Sequence, residues 1–155
     1  LKPISESIVL AYTGKPHKNA NEREVIDALT SYVQNAIPYR RIGDLSDGKE
    51  RWGYRTPLMT ILKGGDCDSK CMLLICMVRS LLPKIKIALI YIDMDGPHAM
   101  LGVMIDKLGE EKTTVINGET YVLIESTAPD GDIGNISDKC DRSSIQALPI
   151  ASLET

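Results

Sequence analysis

The stretch Gly64-Gly65-Asp66-Cys67-Asp68-Ser69-Lys70-Cys71-Met72-Leu73-Leu74-Ile75-Cys76-Met77-Val78-Arg79-Ser80-Leu81-Leu82-Pro83 decides how the chain folds. Its glycines break the chain sharply, and Asp66 suits the cap of a following helix. From Cys67 to Leu82 the residues are apolar over most of a helical surface, which belongs in a core. Pro83 ends the run. Cys67 then falls on the first helical turn, where free N–H groups and the helix dipole favour a negative charge. Such a site makes a thiol a better nucleophile.

Upstream, Asn21 and Glu24 read as a capping box. Val25, Ile26, Leu29, Tyr32, Val33 and Ala36 recur at helical spacing until Pro38. The run Ile8-Val9-Leu10-Ala11 reads as a strand or an arm laid on the domain, before a turn at Thr13-Gly14-Lys15-Pro16. Residues Tyr39 to Tyr54 read as a polar surface loop, with Trp52 and Tyr54 at its end. Thr56-Pro57 starts a short helix, Leu58 to Leu62.

Downstream, Ile85–Ile92 and His98–Asp106 read as strands around a turn at Asp93–Pro97. Asn117-Gly118 marks a hairpin. Tyr121–Thr127 reads as a further strand, Pro129–Gly134 as a loop and Ile145–Ile150 as an edge strand. Helices first and an antiparallel sheet after them give the α+β class.

The 155 residues suit one domain, 1–155. At 43% hydrophobic and 25% charged, the chain is neither disordered nor fibrous. No apolar run reaches the ~20 residues of a membrane helix. A formal net charge of −3, no Phe and one Trp argue against a nucleic-acid partner. The first residue is Leu1, which reads as a processed or trimmed piece, possible fragment of a longer protein. The four cysteines, Cys67, Cys71, Cys76 and Cys140, lack zinc-site spacing and are expected to be unpaired, with Cys71 and Cys76 in the core and Cys140 exposed.

Three residues carry the chemistry. Cys67 is the candidate nucleophile. His98, opening a strand beside a turn, is the candidate base. Glu125, a carboxylate in an apolar strand, needs a partner, and an imidazole on the neighbouring strand would supply one. Gly64-Gly65-Asp66-Cys67-Asp68-Ser69-Lys70, His98-Ala99-Met100-Leu101-Gly102-Val103 and Tyr121-Val122-Leu123-Ile124-Glu125-Ser126-Thr127 with Ile133-Gly134 together resemble the bacterial transglutaminase-like superfamily, over roughly Val25 to Gly134.

The resemblance implies a papain-like core with the nucleophile at the N-terminus of a buried helix packed on an antiparallel sheet. It also implies a Cys–His–acid triad of Cys67, His98 and Glu125, where the family usually carries Asp as the orienter. The expected activity is that of a cysteine protease or peptidase acting through a thioester acyl-enzyme on a protein or peptide. The alternatives are protein crosslinking by transfer to an amine, or a non-catalytic binding module on the same fold. Gly65, Trp52 and Tyr54 are the substrate-cleft candidates. Some periplasmic relatives of this kind bind calcium through acids flanking the nucleophile, which here are Asp66 and Asp68. Asp66 reads more simply as the helix cap, so no cofactor is expected. An exported, periplasmic setting, its targeting segment absent from this chain, completes the expectation.

Overall fold

The computed structural model describes residues 1–41 and 55–151. Four α-helices precede five strands: α1 Lys2–Thr13, α2 Glu22–Ala36, α3 Pro57–Lys63, α4 Cys67–Leu81, β1 Ile87–Asp93, β2 Pro97–Val103, β3 Thr113–Ile116, β4 Glu119–Ile124 and β5 Asp141–Ile150. The strands form one antiparallel sheet in the order β3-β4-β2-β1-β5. The class is therefore mixed α+β, with the helices first in the chain.

Local chemistry accounts for the elements. Both arms of the α2 capping box are made: Glu24 N–H donates to Asn21 Oδ1 at 2.9 Å and Asn21 N–H to Glu24 Oε2 at 2.8 Å. Asp66 caps α4 by accepting from Ser69 N–H at 3.1 Å and from Ser69 Oγ at 2.7 Å. Asn117 and Gly118, with φ of 51° and 81°, supply the two left-handed residues of a tight hairpin between β3 and β4. β5 does lie at the sheet edge, beside β1.

Helix α1 corrects the expectation of a strand or arm near Val9. Pro3 sits in its first turn, and Gly14 ends it in a left-handed conformation with its N–H on Leu10 O at 2.9 Å. Val9 is fully buried, and the Ser80 hydroxyl of α4 donates to Ser5 Oγ at 3.1 Å. Packing against α2 and α4 outweighs the strand preference of Ile8 and Val9.

Two cores flank the sheet. The larger joins α1, α2 and α4 to Leu89, Leu101, Val122 and Ile124; the smaller gathers Ile90, Met100, Leu123 and Ile136 on the other face. The alternation of Leu101 and Met100, or Ile124 and Leu123, between the two cores is the two-residue period of a strand buried on both faces.

Candidate functional site

The start of β2 and the end of β4 lie together because the two strands run antiparallel, with Leu101 opposite Ile124. The N-terminus of α4 meets the same end of the sheet. Cys67 is the first residue of α4, His98 the second of β2, and Glu125 the first after β4.

His98 Nε2 and Glu125 Oε2 are 2.6 Å apart, and both residues are buried. The Cys67 thiol stands near enough to the ring to act on its charge. Burial works against the charged ring, but the Cys67 and Glu125 side chains outweigh it and push the His98 pKa up to about 10. Burial likewise opposes the Glu125 charge. The imidazole, with the Thr127 hydroxyl and N–H, overcomes that and holds the carboxyl below its ordinary range.

Glu125 is anchored through its other oxygen, since Oε1 accepts from Thr127 N–H at 2.9 Å and from Thr127 Oγ1 at 2.7 Å. This local turn also corrects the sequence reading of a strand through Thr127. The ladder ends at Ile124, where Glu125 turns its backbone carbonyl to the Gln34 amide at 2.7 Å. The carboxylate thus has three partners, as a buried charge requires.

The second thiol on the same helix face behaves differently. Cys71 is fully buried, its Sγ lies 3.3 Å from Ser126 Oγ, and burial pushes its pKa well up. All four cysteines are free, with Cys76 and Cys140 half-buried rather than in the core and exposed, respectively. Cys140 packs against the smaller core, which takes part of it out of solvent.

Gly65, the cleft candidate, packs closely where it stands. It is buried, and a Cβ there would stand 2.5 Å from Ser69 Cβ and 3.0 Å from Thr60 Cγ2. Its bareness serves the contact of the loop with α3 and α4. Gly64, at φ 77°, similarly lets the chain pass Pro38 O, which a Cβ would meet at 2.5 Å. Trp52 and Tyr54 lie outside the described residues. A cleft of about 1330 Å³ opens beside Glu125 and Thr127, and one of about 290 Å³ beside His98.

Asp66 is committed to capping α4, so it is a poor partner for Asp68 in a calcium site. No group of three or more His, Cys, Asp and Glu poised for a metal ion occurs among the described residues. Among the same residues no helix is long and apolar enough to cross a membrane.

Two neighbours escaped the sequence reading. Tyr39, bridged to Gly65, has its hydroxyl pKa raised by partial burial and by the nearby Cys67 and Asp66 charges. Gln34 is buried on α2. Its signal was present, since Gln34 continues the Ile26–Thr30 stripe at four-residue spacing and is a polar residue in a core position.

No family model, curated protein or solved structure matches the chain.

Proposed function

We propose that the chain is a cysteine-dependent amide hydrolase on a papain-like, transglutaminase-like core. The observation that carries this reading is the buried 2.6 Å contact of His98 with Glu125, with Cys67 near the ring at the start of α4. His98 takes the thiol proton, and Cys67 attacks a substrate carbonyl to form a C–S bond. The Cys67 N–H at the start of α4, which helical geometry leaves without a carbonyl partner, faces the developing oxyanion. The imidazolium then protonates the leaving amine, the C–N bond breaks, and a thioester remains. Water, activated by the neutral ring, releases the acid and regenerates the thiol. Glu125 orients the ring and balances its charge throughout.

The test is to incubate wild type and Cys67→Ala with a protein mixture from the source cell, alone and with a fluorescent primary amine. New peptide termini made by wild type alone support hydrolysis. Amine incorporation by wild type alone reassigns the acceptor, giving crosslinking chemistry. Identical products from both proteins reject thiol catalysis.

A further inference from the structure

Glu125 is held from behind as well as from the front. Gln34 Nε2 donates to Glu125 O at 2.7 Å and to Gly131 O at 2.9 Å, so one buried amide closes the 125–131 loop. Beside it, Asp130 N–H donates to Asn35 Oδ1 at 3.2 Å. Gln34 is itself fixed. Lys70, one turn along α4 from Cys67 and 1% exposed, places its ammonium 2.8 Å from Ile37 O and 3.4 Å from Gln34 O. The ammonium thereby satisfies carbonyls that the end of α2 leaves without N–H partners. An unbroken run of hydrogen bonds joins the nucleophile's helix, through the end of α2, to the residue that holds the imidazole.

We infer that Gln34, locked by Lys70, is a positioning residue that sets the place of the Glu125 carboxylate against His98. The inference rests on the thiol-catalysis reading. Both donors of the amide are spent on the loop, and neither touches the reacting atoms. Gln34 therefore acts only through Glu125, whose 2.6 Å contact is short enough for small displacements to weaken it steeply. Gly131 offers a second handle: a Cβ there would lie 3.2 Å from Gln34 Nε2. Its backbone is not left-handed, so alanine suits its conformation; the added Cβ presses on the amide and, at 3.3 Å, on Ala128 O of the same loop.

Among the described residues, the charged and titratable groups that act on the pair are Cys67, Asp68, Lys70 and Cys71 of α4, and Cys140. Gln34→Met and Gly131→Ala change none of them. The experiment is an NMR titration of the His98 imidazole in wild type and both variants, with circular dichroism to follow folding. Wild type is expected to hold its imidazolium to about pH 10. In the variants the midpoint falls by about one unit, a tenfold weaker hold on the proton. A wild-type midpoint near 10 that neither folded variant moves overturns the positioning role and leaves the triad standing. A wild-type midpoint near that of a free imidazole overturns the triad reading itself. Where Gln34→Met does not fold, Gly131→Ala decides.

Discussion

The chain has two histidines, and each stands beside a glutamate. His17 Nδ1 lies 3.6 Å from Glu6 Oε1 at the surface, with the glutamate side chain 40% exposed. His98 and Glu125 are 2.6 Å apart, with side chains 9% and 7% exposed. The first pair joins the middle of α1 to the short turn His17–Asn19, with the glutamate open to water, where such contacts contribute little. The second sits where two strands and a helix terminus converge, with the carboxylate pinned by Thr127 and its backbone by Gln34. The same two residue types make a surface contact in one place and a fixed, ionised unit in the other. Burial and anchoring make the difference.

Substitutions should separate the pairs most strongly in activity. With any substrate found by profiling, Cys67→Ala is expected to abolish turnover. His98→Ala should lower kcat/KM nearly as far, by about 10³-fold or more. His17→Ala should leave the rate at the wild-type level. Glu125→Gln keeps the ring's partner but removes its charge, and should cost about 100-fold in kcat/KM. Glu6→Gln should cost nothing. Thr127→Ala removes the hydroxyl bond to Glu125 Oε1 while leaving the backbone N–H bond to the same oxygen, and should cost about tenfold, equivalent to one charge-assisted hydrogen bond of about 1.5 kcal/mol. Steady-state rates on folded variants check all six.

Stability against pH should sharpen the contrast further, by a smaller effect. The folded-state pKa of His98 is raised, so its contribution is fully present below about 6.5 and is lost as pH climbs to about 10. Denaturant unfolding should therefore show the gap between wild type and His98→Ala narrowing over that window. Glu125, with a lowered pKa, acts in the opposite sense. Its contribution is present above about 4.5 and is lost as pH falls below that value.

Much of this end of the molecule was legible in the sequence, for local reasons. Asp66 and Asn21 cap their helices through residues three positions away, and Asn117-Gly118 makes a turn from its own two conformations. Cys67 and His98 could be picked out because each opens an element, and Glu125 because it is a carboxylate in an apolar run that needs a partner. What stayed hidden depends on contacts distant in sequence. Helix α1 exists because Val9 and Ser5 pack on other helices, although Pro3 and Gly14 already bracketed it. Gly65 looked like room for a substrate, but Ser69 and Thr60 fill that room. Gln34 touches Glu125 across 91 positions of chain, and no spacing rule reaches so far.

The most direct test is the relative reactivity of the four thiols. Native protein is treated briefly with limiting iodoacetamide near neutral pH, and each cysteine's alkylation is quantified by mass spectrometry, in wild type and in His98→Ala. The account predicts that Cys67 reacts well ahead of Cys71, Cys76 and Cys140, and that His98→Ala removes most of its lead. A Cys67 no faster than Cys140, or one whose lead survives the loss of His98, would contradict the claim that thiol, imidazole and carboxylate act as one unit.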